Sequence, residues 1–288
     1  MKTVQANGAS IPALGFGTFR LKGDEAEAAT RMALEVGYRH IDTAQAYENE
    51  EAIARAIRAS GVPREEIFIT TKIWPDHFDE EEFPVAVNAR LQALETDYVD
   101  LLLLHWPNPS VPLEDTIGAL NVMREVGKTR HIGVANFTTG LLDEALSLTA
   151  APLVTNQVEY HPFLDQSTLL TEVHDYGMSL TAYSPLAKGQ VAEDETLQEI
   201  GAAHGKSAAQ VALRWLLQQE GVVAIPKASS REHIEQNFAI WGFELDDDEM
   251  ARIFSLTERN DRLVNPARLA PDWGTPRAEE PATDNPMV

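Results

Sequence analysis

The sequence predicts an α/β protein whose 288 residues form one (β/α)8 barrel, the TIM-barrel architecture. Eight short runs of β-branched or apolar residues alternate with stretches of helical periodicity along the chain. Some runs, such as VDLLLLH, are almost continuously apolar, which is typical of parallel strands buried on both faces. Eight strand–helix repeats favour a closed barrel over an open doubly wound sheet, and barrels of this length are commonly single domains. We therefore assign residues 1–288 to one domain.

Ahead of the barrel, the N-terminus carries the dipeptide Asn7-Gly8 between two short apolar stretches. This pair is a strong signal for a tight β-hairpin, because both residues tolerate a positive φ. We expect a hairpin that closes the bottom of the barrel. The eight barrel strands are predicted at residues 13–19, 39–44, 67–72, 99–105, 131–137, 154–160, 179–185 and 222–227.

Helical patterns separate these strands, and in one of them Ile53, Ala56 and Ile57 share a face that would cover the sheet. The last helix is predicted over 246–255. The segment after it is rich in proline and charge, and we expect residues 276–288 to form a flexible tail. Glycines able to adopt the left-handed C-cap conformation follow five predicted helices, at Gly37, Gly61, Gly127, Gly177 and Gly221.

The composition excludes several classes of function. A formal net charge of -22 disfavours nucleic acid and anionic membranes as partners, because both bind clusters of Lys and Arg. No apolar run is long enough to span a bilayer and the N-terminus lacks an apolar signal sequence, so we expect a cytoplasmic protein. The chain has no cysteine, which rules out disulfides, a thiol nucleophile and cysteine metal sites. Redox chemistry would therefore need a bound cofactor.

The acidic excess is compatible with two interpretations. Acidic residues are spread along the chain and most basic residues are Arg, a pattern that favours a halophilic protein kept soluble in high salt. The alternative is an ordinary acidic cytosolic protein with a solvated surface.

Two segments resemble nucleotide-binding motifs only in part. Gly15-Phe16-Gly17 begins like a dinucleotide fingerprint, but Arg20 stands where the third glycine is needed. Residues 204–207 resemble the end of a phosphate loop, but Ile200 occupies the position of its first glycine. Neither segment is expected to bind phosphate.

Polar side chains close three neighbouring strands, at the barrel end where active sites form. Asp42, Lys72 and His105 end strands two, three and four, and Tyr47 follows Asp42 closely. Taken singly, Asp42 could cap a helix, Tyr47 could be a core or rim aromatic, Lys72 a surface lysine and His105 a structural histidine. Together they suit proton transfer: the ammonium favours the tyrosinate and lowers its pKa, Asp42 keeps the ammonium charged, and the imidazole hydrogen-bonds a carbonyl oxygen.

Longer segments around these residues resemble the aldo-keto reductases, specifically the microbial short-loop type similar to 2,5-diketo-gluconate reductases. GYRHIDTAQAYENEEAIARAI at 37–57 resembles the family's first signature, LLLLHWP at 101–107 its histidine strand, and IPKASSREHIEQN at 225–237 its cofactor segment. The resemblance implies a monomeric NAD(P)H-dependent enzyme that reduces an aldehyde or ketone, with Tyr47 as proton donor. The remaining members of the implied catalytic tetrad are Asp42, Lys72 and His105.

The resemblance also implies a cofactor site along the later strands. Asn136 and Gln157 would bind the nicotinamide carboxamide, and Tyr183 would stack on the ring. Ser184 and the backbone of Leu186 would meet the pyrophosphate. Taken singly and without the resemblance, the two amides are better explained as strand-end turn residues and Tyr183 as a core residue. The residues implied at the adenosine phosphate are Lys227, Ser229, His233, Gln236 and Asn237.

Two positions depart from the family pattern. Ala228 replaces a hydroxyl residue, and His233 stands where many relatives carry an arginine that binds phosphate bidentately. Arg231 is a second cation able to reach the 2′-phosphate from the start of its helix. We expect NADP or NAD as cofactor, with a weakened preference for NADPH.

The substrate is expected to be a small carbonyl compound, in a pocket lined by Trp74, Trp106 and Tyr47 with Trp273 as a lid. These side chains favour an apolar or aromatic compound, and a sugar or keto acid is an alternative. Two other functions were weighed: a cofactor-binding barrel that serves as a redox-sensing or regulatory subunit, and a metal-dependent isomerase. The intact tetrad disfavours the first, and the lack of a His and carboxylate cluster disfavours the second.

Overall fold

The computed structural model describes residues 2–274 and contains the predicted eight-stranded barrel. A separate two-stranded hairpin precedes it, with strands β1 (Thr3–Ala6) and β2 (Ala9–Pro12). Each barrel strand falls within or next to a predicted run, so the predicted fold class is confirmed. The barrel strands are β3 (Phe16–Gly17), β4 (His40–Asp42), β5 (Phe68–Ile73), β6 (Val99–Leu104), β7 (Thr129–Ala135), β8 (Leu153–Glu159), β9 (Ser179–Tyr183) and β10 (Val222–Ala224).

Helices connect the strands and cover the outside of the barrel. The helix after β4 buries Ile53 and Ala56 as its pattern predicted, and the last helix ends at Ser255. All five predicted C-cap glycines have a positive φ. The helices are α1 (Gly23–Val36), α2 (Glu50–Ser60), α3 (Glu82–Ala93), α4 (Leu113–Glu125), α5 (Thr139–Leu148), α6 (Ser167–Asp175), α7 (Glu195–His204), α8 (Ala208–Gln218), α9 (Arg231–Phe238) and α10 (Asp247–Ser255).

The barrel strands are parallel and run in chain order from β3 to β10. The ring closes where the segment leading into β3 meets β10: Gly15 N donates to Ala224 O over 2.9 Å and Gly17 N to Pro226 O over 3.0 Å. A Cβ atom at Gly17 would lie 2.6 Å from Ile225 O, closer than the two atoms can approach. The Gly15-Phe16-Gly17 sequence therefore allows barrel closure, which explains the glycines without a dinucleotide site.

The N-terminal hairpin closes the bottom of the barrel as predicted. Its turn has positive φ at both Asn7 (43°) and Gly8 (88°), the geometry that matches the twist of paired strands. Asn7 N donates to Gly177 O over 3.0 Å, and Asn7 Nδ2 donates to Leu153 O over 2.7 Å. Since Gly177 and Leu153 lie at the N-terminal ends of β9 and β8, the opposite end of the barrel stays open for a site.

Past α10, the chain turns back over the barrel mouth. The buried carboxylate of Glu159, at the end of β8, accepts hydrogen bonds from Leu263 N (2.8 Å) and Val264 N (2.9 Å). The predicted flexible tail at 276–288 lies outside the described residues. The assignment of 1–288 to a single domain stays a prediction.

The acidic surface predicts a stability that rises with salt. With a net charge of -22, screening should relieve self-repulsion, because about 1 M salt shortens the Debye length to about 3 Å. Exposed pairs such as Arg252–Glu199 would lose little, since such pairs contribute about 0–1 kcal/mol. We expect the midpoint temperature of thermal unfolding to increase when the KCl concentration is raised from about 0.1 M to about 2 M. Sucrose at equal osmolality is the control, and a flat or falling midpoint in KCl would remove the halophilic interpretation.

Candidate active site

The predicted acid and cation meet at the open end of the barrel. Asp42 ends β4 and Lys72 lies in β5, where its side chain is fully buried. Lys72 Nζ donates to Asp42 Oδ1 over 2.6 Å and to Thr43 O over 2.9 Å. The other carboxylate oxygen of Asp42 accepts from Gln157 Nε2 over 2.8 Å. A buried charge is costly unless it is paired and hydrogen-bonded, and both ions here meet that condition.

Tyr47 sits beside this pair on a 3-10 turn (Gln45–Tyr47) that follows β4. Lys72 Nζ lies 5.1 Å from the centre of the phenol ring. The turn is held in place because Gln45 Oε1 accepts a hydrogen bond from Trp74 N over 2.9 Å. The local chain therefore presents the phenol to the buried ammonium.

Two opposing influences act on the pKa of Tyr47. Burial of the hydroxyl is the larger and, together with Asp42, leaves the pKa above its usual value, while Lys72 lowers it as expected. The free energy needed to remove the phenolate from water is larger than the stabilisation that the nearby ammonium provides.

His105 follows β6 and faces the same space. Its ring lies 5.7 Å from that of Tyr47 and 5.2 Å from that of Trp74, both edge to face. Burial, reinforced by the charge of Lys72, lowers the pKa of His105 well below its usual value. Its Nδ1 is buried and has no partner among the described residues. The imidazole is therefore neutral and suited to hydrogen bonding, not to ion pairing.

Two of the predicted nicotinamide residues are joined to each other. Asn136 is 1% exposed and has a positive φ of 63°. Asparagine is one of the few residue types other than glycine that adopt this conformation readily. Its Nδ2 donates to His105 O over 2.9 Å, and its Oδ1 accepts from the Tyr183 hydroxyl over 2.8 Å. Tyr183 is half-buried, so part of its ring remains accessible. A single amide thus connects the histidine strand to the aromatic ring.

The predicted pyrophosphate residues lie in an unusual turn after β9. Ser184 has a φ of 49°, and two further residues, Ala187 and Lys188, have φ values of 48° and 53°. Ser184 and Leu186 are both half-buried. Such left-handed residues are rare outside glycine and occur often at functional sites.

The predicted adenosine-phosphate residues lie in the loop after β10 and along α9. Lys227, Ser229 and His233 are exposed, Gln236 is half-buried and Asn237 is 5% exposed. Lys227 and Ser229 precede the N-terminus of α9 and His233 lies in its first turn, a favourable place for an anion, whereas Gln236 and Asn237 lie near its C-terminal end.

Arg231 does not join this group. Its guanidinium pairs with Glu35 of α1 and, over 3.4 Å, with Glu235 of its own helix. The expected second cation for the 2′-phosphate therefore pairs with two carboxylates: Glu235, one helical turn further along α9, and Glu35, which only folding brings to it.

The three predicted substrate residues differ in position. Trp74 is half-buried and contacts His105, and Trp106 is 5% exposed. Trp273 stacks on Arg262, whose guanidinium carbon lies 3.9 Å from the ring centre. Burial lowers the pKa of Arg262, against the pull of Glu159 and Tyr183. The tail tryptophan thus lies near the predicted cofactor strand, where it packs on Arg262 and not on the tetrad.

Phe19 is a site residue that sequence reasoning missed. It follows β3 at the barrel mouth, its side chain is 43% exposed, and its ring lies 5.1 Å from that of Tyr47. The rule that led to Asp42, Lys72 and His105 applies equally to the first strand, since all strands end at this face. The sequence argument rested on polar side chains at strand ends, and an uncharged aromatic residue at that position gives no such signal.

A cavity of about 1000 Å³ lies to one side, between the start of α7 and residues 259–263. No tetrad residue lines it, and its wall includes the carboxylates Glu193, Asp194, Glu195 and Asp261. We place the chemistry at the tetrad, because there a buried ion pair, a phenol and an imidazole converge at the open end of the barrel. Over residues 2–274, no cluster of three metal-ligating side chains occurs, and no helix is long and apolar enough to cross a membrane.

Comparison with known proteins agrees with this geometry. The chain is 42% identical over 267 residues to methylglyoxal reductase DkgB of Escherichia coli O157:H7, an alignment that covers 92% of this chain and 99% of the relative. A crystal structure described as a 2,5-diketo-D-gluconic acid reductase B superposes with a TM-score of 0.93 at 51% identity, covering 95% of this chain and 97% of the other. The Bombyx mori aldo-keto reductase in complex with NADP gives a TM-score of 0.85 at 32% identity, covering 91% and 94%.

The family model described as "Aldo/keto reductase family" matches residues 13–258, which include every strand of the barrel and all four tetrad residues. The match also includes the segment after β10. With a fold, a tetrad and relatives that agree along nearly the whole chain, the protein belongs to the aldo/keto reductase family and is an NAD(P)H-dependent, carbonyl-reducing enzyme.

Proposed function

We propose that Tyr47 donates its hydroxyl proton to the carbonyl oxygen of the substrate while the carbonyl carbon accepts hydride, so that an aldehyde or ketone becomes an alcohol. When bound, NAD(P)H supplies the hydride. The observation that carries the proposal is the buried pair beside the phenol: Lys72 Nζ is 2.6 Å from Asp42 Oδ1 and 5.1 Å from the ring centre of Tyr47. The reverse oxidation uses the same groups.

The opposing influences on Tyr47 suit the two halves of this step. Burial raises the pKa of Tyr47, so the phenol keeps its proton at neutral pH until a substrate takes it. The tyrosinate that remains is then stabilised by the ammonium of Lys72. Burial disfavours that ammonium, but Asp42 and Tyr47 hold the pKa of Lys72 above its usual value. The cation is therefore present throughout the reaction.

His105 acts as an orienting group in this proposal. A neutral imidazole donates a hydrogen bond to the carbonyl oxygen without competing with Tyr47 as an acid. The low pKa of His105 supports this role, because an imidazolium would release its own proton more readily than the phenol.

The side chains around the tetrad fit a nicotinamide cofactor. Tyr183 offers a half-buried aromatic face, fixed by its hydrogen bond to Asn136, on which a flat ring can stack. Asn136 and Gln157 bring amides to the same place, and Gln157 also contacts Asp42. We propose that Ser184 and Leu186 meet the pyrophosphate. The residues proposed at the adenosine phosphate are Lys227, Ser229, His233, Gln236 and Asn237.

The choice between NADPH and NADH is expected to depend on position 233. Because Arg231 pairs with Glu35, Lys227 is the remaining cation among the residues that we assign to the adenosine phosphate. His233→Arg would add a bidentate donor beside the 2′-phosphate, where a charge-assisted hydrogen bond is worth about 1.5–3 kcal/mol. We expect kcat/KM with NADPH relative to NADH to rise at least about tenfold, or about 1.4 kcal/mol.

Both cofactors should be measured with one aldehyde at one salt concentration, because screening weakens the phosphate contact. Arg231→Gln is the matched control, since it removes a charge from the same turn that already faces carboxylates. We expect that variant to keep the wild-type ratio within about twofold. An unchanged ratio in His233→Arg would mean that this side chain does not face the phosphate.

For the substrate, we propose a small carbonyl compound that is partly apolar. Phe19 packs against Tyr47 and Trp74 against His105. We propose that Trp106 completes this wall and that Trp273 acts as a lid. One similar protein is named for methylglyoxal and another for a diketo sugar acid. Methylglyoxal, an aromatic aldehyde and a keto sugar acid therefore form the first test panel.

The panel separates the remaining alternatives. Consumption of NADPH or NADH with any of the carbonyls supports the reductase, and loss of activity with a chelator would instead indicate a metal-dependent enzyme. Binding of NADPH without turnover of any carbonyl would favour the regulatory barrel, which the comparisons do not support. We further propose a monomer that acts in the cytoplasm without nucleic-acid or membrane partners, in keeping with its net charge of -22.

A further inference from the structure

A buried carboxyl group lies directly behind the tetrad. Glu50 is the first residue of α2 and is 3% exposed. Its Oε1 accepts a hydrogen bond from Thr71 Oγ1 over 2.8 Å, and its Oε2 lies 3.2 Å from Arg90 Nε of α3. One side chain thus joins α2, α3 and β5.

These contacts surround the segment that carries Tyr47. Thr71 immediately precedes Lys72 in β5, and neighbouring strand residues point to opposite faces. Glu50 therefore holds the outer face of the strand whose inner face presents the ammonium. At the other end of the segment, Thr43 Oγ1 donates to Asn49 Oδ1 over 2.7 Å. Residues 43–50 thus form a loop whose two ends are joined by this hydrogen bond, and Tyr47 lies between them.

Burial of this carboxyl group is not explained by helix capping. An acid in the first turn of a helix stabilises it equally well from the surface, and the exposed Glu51 already does so. Burial raises the pKa of Glu50 to about 7, although Arg90, Thr71 and Lys72 lower it. Keeping such a group inside the protein costs stability, which directs attention to what it holds in place.

We propose that Glu50 is a positioning residue for Tyr47, which ties the loop 43–50 to Thr71 and Arg90 and so keeps the phenol opposite Lys72. This role rests on the proposed function of Tyr47 as proton donor. The groups that face the carboxyl are Arg90 from α3 and Thr71 and Lys72 from β5. Because this site favours the protonated carboxyl, the loop is held less firmly as the pH rises through about 7.

The first test needs neither cofactor nor turnover. Amide hydrogen exchange of residues 43–49 is measured in the unliganded wild type and in Glu50→Leu, Glu50→Gln and Thr71→Val. We expect exchange to be at least about tenfold faster in Glu50→Leu and intermediate in the other two variants, which each keep part of the contact. Glu51→Gln removes the neighbouring exposed charge and should match the wild type. Unchanged exchange in both Glu50→Leu and Thr71→Val would overturn the proposal.

The second test separates positioning from general support. We expect kcat to fall at least about thirtyfold in Glu50→Leu, while the Kd for NADPH stays within about twofold. The wild-type kcat should fall as the pH rises through about 7, and Glu50→Gln, which cannot ionise, should lose that step. Because the folded-state pKa lies above the ordinary 4.5, ionisation costs stability as pH rises, so Glu50→Gln should gain relative stability at alkaline pH.

The outcomes also distinguish this role from the proposed reaction. Equal losses of kcat, NADPH affinity and thermal midpoint in Glu50→Leu would mark a merely structural residue and overturn the inference. If exchange is faster in Glu50→Leu but the wild-type protein reduces no carbonyl, the loop contact is supported and the reductase mechanism is overturned. If Glu50→Leu fails to fold, Thr71→Val and Glu50→Gln decide the question by the same measurements.

Discussion

Tyr47→Phe is expected to lower kcat for carbonyl reduction by at least about 10³-fold, because general acid catalysis contributes about 10²–10⁴-fold. The substitution removes only the hydroxyl, so the ring should keep its contacts with Phe19 and His105. Fluorescence titration should therefore give a Kd for NADPH within about twofold of the wild type. Single-turnover measurements should locate the loss in the chemical step.

The pH profile offers a further check on the same assignment. Since the raised pKa of Tyr47 keeps the phenol protonated, wild-type reduction should show no alkaline loss from this group below its ordinary value of 10.0. Phe19→Leu is the comparison variant: it alters a ring of the proposed substrate wall and leaves the Tyr47 hydroxyl in place, so KM should change while kcat falls far less than in Tyr47→Phe. A series in which Tyr47→Phe kept full turnover while His105→Ala abolished it would contradict the mechanism. His105→Ala should instead show a smaller loss that depends on the substrate.

Lys72→Met should be the second severe variant, with kcat lower by about 10²–10³-fold. Without the ammonium, the tyrosinate left after proton transfer has no neighbouring cation in the pocket described above. Stability should also fall, because Asp42 would remain buried with Gln157 as its hydrogen-bond donor. Breaking a buried ion pair by removing one partner costs about 3–5 kcal/mol.

Two comparisons make this prediction specific. Lys22→Met removes an exposed lysine that also pairs with a carboxylate, Glu48 at 3.2 Å, and should change neither kcat nor stability measurably. Asp42→Asn added to Lys72→Met should restore part of the lost stability, since the buried charge is gone, but no activity. Wild-type turnover in Lys72→Met, measured with a folded protein, would show that Tyr47 acts without the ammonium.

Much of the fold follows from local patterns. The Asn7-Gly8 turn, the glycines at helix ends and the continuously apolar strands each depend on residues near one another in the chain, and each was predicted correctly. The tetrad was found because a parallel barrel brings all strand ends to one face, whatever the distance along the chain. Its residue roles stay predictions until the variants are measured.

Other features depend on groups that only folding brings together. Gln157 donates to Asp42 across a separation of 115 residues, and Arg231 pairs with Glu35 across 196. The position of Glu50 behind Lys72 likewise requires α2, α3 and β5 to be packed. No periodicity in the sequence encodes such pairings, because side-chain partners at these separations are set by how the closed barrel is covered.

The barrel, its strands and the residue types at its mouth follow from local patterns in the chain, because secondary structure and turns respond to local chemistry. The ionisation of those residues depends instead on how the chain packs around them. Tyr47 shows the difference. Burial raises its pKa, and this effect is larger than the lowering by Lys72 that the sequence suggested. Desolvation depends on everything packed around the hydroxyl, and the free energy of a charge in that place exists only once the barrel has closed.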